Sequence, residues 1–362
     1  MNDIYTFSQG MQVEIENQSL NKSVDMEQFI RIIDVTTNSE PPRYIYNTTG
    51  KGHVESNDIF FVRYGAVGTV GYGYTGTIAN NLFKLSTNKK YCNDFMYQQF
   101  ANGEFNKKLI EMSASTSMPA INFSALNSLT FYETNLDEQN RIGKLFKSID
   151  NLITLHQRKC DTLVNVKKSM LDKMFPKNSS NVPEIRFKGF TDVWEQRKLE
   201  EISNRFDNLR IPVAANVREK GTIPYYGANG IQDYVKGFTH NGEFVLIAED
   251  GANDPKNYPV KYVNGLFWAN NHVHVIQGKK EICDNKYLKY CFSKTNIEAL
   301  LVGGGRAKLN ANIMMGMNLK LCQFDEQSKI GELLYEIDNL ITLHQRKFND
   351  ILVYKLRKKF FF

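Results

Sequence analysis

DNLITLHQRK occupies residues 150–159, and the same ten residues recur at 338–347. The match extends upstream at the same offset of 188 residues, because Asp-Glu-Gln followed by Ile occurs at 137–142 and again at 325–330. An offset this long exceeds the units of about 20–50 residues that build solenoids and propellers. The chain is therefore predicted to be a tandem duplication in which each copy is a domain plus a helix.

Both copies of the repeat lie in stretches with the periodicity of a long helix. Apolar residues recur three and four positions apart from about Leu136 until Pro176 stops the helix, which is a heptad pattern. At 1.5 Å per residue, such a helix of about 40 residues is about 60 Å long. The second helix is expected from about Phe324 to the end of the chain. The predicted seam consists of Ile142, Leu145, Ile149, Leu152, His156, Leu163, Val166 and Met170, then Ile330, Leu333, Ile337, Leu340, His344 and Ile351, with a flanking row at Leu334, Ile341 and Phe348.

Each helix is apolar on one stripe and polar elsewhere, so the two helices are predicted to pack together as a two-stranded coiled coil. Tandem copies favour an antiparallel pair. His156 and His344 occupy equivalent seam positions, and we interpret them as buried polar residues that set the register. Replacing His156 by leucine is then predicted to stabilise the pair and loosen its register.

The remaining segments differ from the helices in composition and pattern. They lack long helical periodicity, are rich in Gly, Asn, Tyr and Phe, and contain strand-like runs such as 59–63, 243–248 and 272–276. We predict two α+β globular domains in a pseudo-twofold tandem repeat, with unlike sequences on like helices. Such divergence is expected when the two domains bind different things. The predicted boundaries are 1–135 for the first domain, 136–176 for the first helix, 177–323 for the second domain and 324–362 for the second helix.

The composition excludes several classes of protein. The 42% of hydrophobic residues provide material for buried cores, and the net charge of +6 suits a polyanionic partner. Five cysteines without a Cys-x-x-Cys pair predict neither a disulfide framework nor a zinc ribbon. The first ten residues, MNDIYTFSQG, lack a signal sequence, and apolar runs such as 244–248 are too short to span a bilayer. A reducing cytoplasm is the expected compartment, without a membrane partner.

No motif predicts catalysis or a metal site. Pro41 and Pro42 are followed by Arg43, whereas an adenine methyltransferase needs an aromatic side chain there to stack on the base. The glycines at 303–305 precede an arginine without the Lys-Ser/Thr of a P-loop. His272 and His274 have no Cys or third His at ligand spacing, so they are interpreted as structural.

These residues resemble a known family, the specificity subunits of type I restriction–modification systems, over nearly the whole chain. The most specific stretches are the two helix repeats, KSMLDKMFPKN at 168–178 and RFKGFTDVWEQRKLEEIS at 186–203. DIFFVRYGAVGTVG at 58–71 and GGGRAKLN at 303–310 are similar to recognition-domain core. A matching Trp-Glu-x-Arg-x-Leu opening is not found around Thr6, so the first domain is expected to be shortened at its start, and the last residues stop short of a second KMFPKN.

The resemblance implies a non-catalytic subunit with two target-recognition domains that selects a split sequence in double-stranded DNA. Two methyltransferase subunits would dock on it, and nuclease/translocase subunits would join in the full complex. S-adenosylmethionine, ATP and Mg are then expected in those partners, with no cofactor or metal in this chain. Two alternatives stay open: a coiled-coil scaffold that binds only proteins, and a partial or silent specificity copy.

Duplex recognition needs cations for phosphates, and forked or amide side chains for base edges. A helix pair about 60 Å long covers about 17 base pairs at 3.4 Å each, so we predict two unequal half-sites around an unread spacer. A heptad inserted into one helix is predicted to alter the spacer alone. The candidate DNA-binding residues are Arg43, Tyr44, Lys51, Arg63, Tyr64, Ser117 and Asn122 in the first domain, and Arg205, Arg210, Arg218, Lys220, Tyr225, Tyr226, Asn229, Lys256, Asn270, Asn271, Arg306, Lys308 and Asn310 in the second.

Overall fold

The computed structural model describes residues 1, 4–87, 90–101, 103–113, 120–177, 180–304 and 307–359. The chain forms two compact units, called unit 1 (Met1–Leu155 and Phe348–Phe362) and unit 2 (His156–Lys347). Two of the candidate residues, Ser117 and Arg306, lie outside the described residues. Within the described ranges, no helix is long and apolar enough to cross a membrane.

Among its described residues, unit 1 contains a small antiparallel sheet, a small mixed sheet and a set of short helices. One sheet has the order β1-β8-β5-β6 and the other β3-β2-β7-β4. Its main core lies between the first sheet and the helices that follow it, around Phe61, Phe100 and Leu109. The elements are β1 (Thr6–Gln9), a 3-10 turn (Ile15–Asn17), β2 (Met26–Ile30), α1 (Ile32–Val35), β3 (Arg43–Tyr46), β4 (His53–Val54), β5 (Phe60–Val62), β6 (Val70–Gly71), β7 (Gly76–Ile78), β8 (Leu82–Ser86), α2 (Asn93–Phe100), α3 (Gly103–Ser113), α4 (Phe123–Ser128) and the start of α5 (Leu136–Met174).

Unit 2 is built around a larger sheet with the order β10-β15-β13-β14-β11-β12, beside the two-stranded sheet β16-β9. Trp194 is buried between Phe175 and Tyr287 in its core. The elements are β9 (Glu195–Lys198), α6 (Leu199–Ile202), β10 (Ser203–Arg205), 3-10 turns (Asp207–Leu209, Ala215–Val217, Glu298–Leu300), β11 (Lys220–Gly227), β12 (Gly230–Val235), β13 (His240–Ala248), β14 (Val260–Ala269), β15 (Val273–Gly278), α7 (Asn285–Lys294), α8 (Ala311–Met315), β16 (Asn318–Leu321) and α9 (Phe324–Lys359).

This architecture confirms the predicted α+β class with a long helix in each copy of the repeat. The first long helix, α5, ends at Met174, just before the predicted stop at Pro176. The second, α9, begins at Phe324 with Asp325 and Glu326 in its first turn, where carboxylates favour a helix N-terminus. The compact units divide the chain within α5 and α9, so the domain boundaries drawn at the helix ends stay a prediction.

The repeated glutamine attaches each long helix to a globular domain. In unit 1, the backbone N–H of Cys92 donates to Oε1 of Gln139 at 3.2 Å. In unit 2, the N–H of Asp284 donates to Oε1 of Gln327 at 3.0 Å. Both glutamines are buried, and their amide nitrogens donate to backbone carbonyls of nearby loops. The Asp-Glu-Gln motif therefore recurs because the same anchoring hydrogen bonds are made twice.

The repeated glycine explains how closely each helix approaches its domain. A Cβ atom on Gly143 would lie 2.9 Å from the backbone nitrogen of Phe95, in the first turn of α2. On Gly331 it would lie 2.6 Å from the backbone nitrogen of Tyr287, in the first turn of α7. Since real Cβ atoms do not approach a backbone this closely, only glycine allows the two helices to touch at these points.

The buried stripe of each long helix corrects part of the predicted seam. Leu145, Leu152 and Leu340 are 40%, 45% and 42% exposed, and Val166 is exposed as well. Leu145 and Leu152 lie seven residues apart on a neighbouring face, which is the spacing of a heptad position, so periodicity could not tell the two rows apart. The row predicted to flank the seam is buried or half-buried instead. The observed stripe runs through Ile142, Phe146, Ile149, Ile153, His156, Cys160, Leu163, Lys167 and Met170 in α5, and through Ile330, Leu334, Ile337, Ile341, His344, Phe348, Ile351 and Lys355 in α9, with Leu333 half-buried beside it.

Polar pairs show that α5 and α9 run antiparallel within unit 2. Nδ1 of His156 lies 2.9 Å from Nδ1 of His344, and Nζ of Lys167 lies 2.6 Å from a carboxylate oxygen of Asp338. Residue numbers therefore fall along α9 as they rise along α5. In unit 1, Lys355 donates to Asp150. These two residues are the equivalents of Lys167 and Asp338 at the offset of 188, so each unit contains the same ion pair with the helices exchanged.

We predict that the histidine pair makes the stability of unit 2 depend on pH. Burial, with the neighbouring charges of His156, Lys159 and Lys347, lowers the pKa of His344. The unfolded chain then binds protons more readily than the folded chain. The folded state is therefore most stable when the pH is above the usual histidine pKa, and it loses stability as the pH falls below that value. We expect the urea midpoint of unit 2 to fall as the pH is lowered from about 7.5 to about 5. In His156→Leu the midpoint should be higher and this fall smaller, and an equal fall in both proteins would contradict this role.

Candidate nucleic-acid interface

Loops that adjoin the large sheet of unit 2 bring several candidate residues together. We call these loops, residues 227–232, 249–257, 269–272, 302–304 and 307–310, the loop cluster. The N–H of Glu249 donates to the carbonyl of His272 at 2.8 Å, and the N–H of Leu309 donates to the carbonyl of Glu249 at 2.7 Å. These bonds continue strand pairing beyond the end of β13, so the loops are held at fixed positions.

Two of the candidate asparagines support the loop cluster from within. The side-chain nitrogen of Asn229 donates to the carbonyl of Gly251 at 2.8 Å, and its oxygen accepts from the N–H of Asn253 at 2.8 Å. Asn270 is only 3% exposed, and its oxygen accepts from the N–H of His272. The structure therefore corrects the prediction that Asn270 contacts a base directly, because its amide is used inside the domain.

A buried ion network lies beneath the loop cluster. Arg210 donates to Glu249 at 2.6 Å, Lys308 also pairs with Glu249 at 2.6 Å, and His274 lies 2.7 Å from Asp207. Burial alone would raise the pKa values of both carboxyl groups, but the hydrogen bonds from these basic groups lower them on balance. His274 is 1% exposed, and its ring nitrogens lie within hydrogen-bond distance of Asp207 and of the Leu309 carbonyl.

The same network bears on a metal site and on one DNA-binding candidate. Oxygen and nitrogen atoms of Asp207, Glu249 and His274 lie within 4.8 Å of one another, as in a metal-ligand set. Two cationic side chains already neutralise these carboxylates, so the group fits an internal salt-bridge network better than a cation site.

Arg210 also donates to the Val273 carbonyl and is largely buried. The prediction that Arg210 reaches DNA is corrected accordingly.

A second group of candidates lines a cavity of about 360 Å³ on the β11–β12 side of unit 2. Tyr225 is 1% exposed and bonds Val213, so it is part of the core rather than a DNA contact. Arg218 stacks 4.1 Å above the Tyr225 ring and pairs with Asp233. Of the other candidates of unit 2, Tyr226 is half-buried against Phe267, and Arg205 lies near Asp207, whereas Lys220, Lys256 and Asn271 are exposed.

Unit 1 repeats the loop geometry with different side chains. The N–H of Arg63 donates to the carbonyl of Asn81, and the N–H of Ile121 donates to the carbonyl of Arg63, both at 2.8 Å. Arg63 thus takes the backbone position that Glu249 has in unit 2. Tyr64 bridges Ala120 in the way that Asp250 bridges Lys308. The two units therefore present unlike residues on the same framework.

The remaining candidates fall into two structural groups. Asn122 and Asn310 cap the N-termini of α4 and α8, where their side-chain oxygens accept from backbone N–H groups. Capping explains why this asparagine recurs at the offset of 188. Arg43 and Tyr44 lie in β3, and Lys51 is exposed in the turn before β4. The β3–β4 connection is separate in sequence from the loop that holds Arg63 and Tyr64.

Sequence reasoning missed three polar residues of the loop cluster. His272 lies 2.6 Å from Asp250, and Gln232 accepts a hydrogen bond from Asn270 at 3.3 Å. A Gly-Ala pair follows both Arg63-Tyr64 and Glu249-Asp250. This shared pair could have shown from the sequence that the two loops are equivalent. No pattern in the sequence marks Gln232, because its position depends on an irregularity of strand pairing.

Comparison with known proteins now assigns the family. The model of the type I restriction modification DNA specificity domain matches residues 13–165 and 191–352, once in each copy of the repeat. The chain belongs to this family. Each copy of the repeat therefore contains one specificity domain, which accounts for two globular domains of different sequence on similar helices.

Individual relatives agree with this assignment. The chain is 41% identical over 158 residues to a putative type I restriction enzyme specificity subunit of Haemophilus influenzae. That alignment covers 44% of this chain and 40% of the relative. The chain is 22% identical over 324 residues to the MjaVIII specificity subunit of Methanocaldococcus jannaschii, covering 81% and 75% of the two chains. The crystal structure of the type I S subunit from M. genitalium superposes with a TM-score of 0.72 at 13% identity, covering 99% of this chain and 93% of the other. That superposition shows the shared fold.

Proposed function

We propose that this chain is a sequence-specificity subunit that recognises a two-part, non-palindromic site in duplex DNA. The observation that supports this most directly is the loop framework made twice, with Arg63-Tyr64 in unit 1 and Glu249-Asp250 in unit 2. Two domains that bind the same base sequence would carry the same side chains on this framework. Two domains that recognise different base sequences must carry different side chains.

Exposed cations would hold the phosphate backbone. Lys256 is exposed in the loop cluster of unit 2, and Lys51 is exposed in the turn before β4 of unit 1. Such contacts fix the register of the protein on the duplex without reading bases. We propose that the helices α5 and α9 set the distance between the two half-sites, because α5 has 39 residues in one uninterrupted helix.

We propose that the methyltransferase subunits dock on the leucines that the seam leaves exposed. Leu152 and Leu155 in unit 1 recur as Leu340 and Leu343 in unit 2, and all four are more than 40% exposed. Identical exposed apolar pairs at equivalent positions suit two copies of one partner. Methyl transfer and ATP-dependent cleavage, with S-adenosylmethionine, ATP and Mg, are assigned to the partner subunits.

Aspartate substitutions test this docking proposal. Leu152→Asp is expected to remove one methyltransferase subunit from the complex, and Leu152→Asp with Leu340→Asp to remove both, since a desolvated anchor contributes at least about 2 kcal/mol. Leu356→Asp is the matched control, because Leu356 is exposed on α9 but has lysine at its equivalent position. The mass of the complex, measured by light scattering, gives the result. Two bound methyltransferases in the double variant would refute the proposal.

The recognition function itself is tested by selection of duplexes from a random library. The full chain, alone and with the methyltransferase subunits of its system, is expected to enrich one sequence with two defined parts. Competing duplexes of unrelated sequence should bind about 10³-fold or more weakly. Enrichment of no sequence in either form, with normal binding of methyltransferase, would instead support a scaffold that binds only proteins.

A further inference from the structure

A bulge in the β11–β12 hairpin of unit 2 directs one side chain out of the ladder. Tyr225 pairs with Asp233 and Tyr226 pairs with Ile231, which leaves Gln232 without a residue opposite it. Bulges next to functional sites re-aim a side chain that regular pairing would place on one face of the sheet. Gln232 is exposed at this point, within the loop cluster.

The Gln232 side chain is held from two sides. Its amide lies against Gly227, where a Cβ atom would come within 2.2 Å of the side-chain nitrogen, so a larger residue at 227 would displace the amide. On the other side, the side-chain nitrogen of Asn270 donates to Oε1 of Gln232 at 3.3 Å. Because Asn270 is itself buried and fixed by the N–H of His272, the orientation of the Gln232 amide is fixed as well.

Gln232 differs from Asn229 and Asn270 in the hydrogen-bonding groups of its amide that remain free. Asn229 and Asn270 use both ends of their amides in hydrogen bonds within the domain. Among the residues that the structure describes, none accepts a hydrogen bond from Nε2 of Gln232. Its Oε1 keeps a second lone pair beside that free N–H group. An exposed, oriented donor and acceptor therefore lie side by side.

We propose that Gln232 is a specificity-determining residue of the second domain and reads one adenine in the major groove, with Asn270 as its positioning residue. This inference rests on the proposed function. The carboxamide would donate to N7 of the base and accept from its N6 amino group, which is the pairing that distinguishes adenine from the other bases. The rigid support by Gly227 and Asn270 is what a selective contact requires.

Binding-site selection with a random duplex library tests the assignment, using the full chain with its methyltransferase subunits. Gln232→Ala is expected to lose the preference for adenine at a single position, by roughly 5- to 100-fold, and to keep every other position. Gln232→Glu should shift the preference at that position toward cytosine, whose amino group a carboxylate accepts from. Asn270→Ala should weaken the preference at the same position, an effect that a loss of folding alone would not confine to one base.

Gln277→Ala is the matched control, since Gln277 lies in β15 of the same unit and donates to the Glu243 carbonyl. It should leave the selected sequence unchanged. A selected sequence in Gln232→Ala that is identical to the wild-type sequence would overturn this inference and leave the proposed function standing. A wild-type protein that selects no sequence would overturn both.

Discussion

Glu326→Ala is expected to lower the free energy of unfolding of unit 2 by about 3–5 kcal/mol, because it leaves a largely buried guanidinium unpaired. Glu326 is 0% exposed, and both of its oxygens accept hydrogen bonds from Arg186, at 2.8 and 2.7 Å. The pair ties the segment before Trp194 to the first turn of α9. Both tryptophans of the chain, Trp194 and Trp268, lie in unit 2, so their fluorescence during urea unfolding reports on this unit alone.

The repeat provides the control for this prediction. Glu138 occupies the equivalent position in α5, but it is exposed, and its partners are Thr134 and Asn135 just before the helix. Glu138→Ala should change the stability of unit 1, followed by circular dichroism, by no more than about 0.5 kcal/mol. Equal losses in the two variants would show that burial does not distinguish these glutamates, contrary to the structure.

Lengthening both long helices by one heptad is expected to lengthen the unread spacer of the DNA site by about three base pairs. Duplicating residues 157–163 in α5 and 345–351 in α9 keeps the seam in phase and adds about 10.5 Å to each helix. At 3.4 Å per base pair this length corresponds to three base pairs. Both half-site sequences should stay the same, because the duplications leave the globular domains unchanged.

The control for the insertion keeps the helix length constant. Gln157→Ala with Gln345→Ala changes exposed residues of the same two segments and should leave the spacer as it is. Site selection on random duplexes measures the spacer in each variant. A lengthened protein that selects the original spacer would show that the helices do not set the distance.

Much of the fold could be predicted from the sequence because the strongest signals are local. The decapeptide repeat and the heptad periodicity predicted the long helices, and Pro176 marked the end of α5 within two residues. The seam was partly wrong because leucines such as Leu152 and Leu340 repeat on a face beside the buried one. Which row is buried depends on the domain that each helix touches through Gln139 or Gln327, and that contact is not local.

The candidate interface was less predictable, because residue type does not show whether a polar side chain is already used. Tyr225, Arg210 and Asn270 are types that contact DNA, yet each is used within unit 2. Conversely, Gln232 became visible only through the bulge between β11 and β12. Hydrogen-bond partners distant in sequence decide which of the polar residues remain available.

Two-part recognition by two unlike domains can be measured by mapping modified adenines in the DNA of cells that express this chain with its methyltransferase subunits. We expect one motif made of two different half-sites, separated by a spacer of fixed length and free sequence. The motif should lose one half when the corresponding domain is exchanged. A single continuous motif, or a motif unchanged by exchange of either domain, would show that the two domains do not each recognise one half-site.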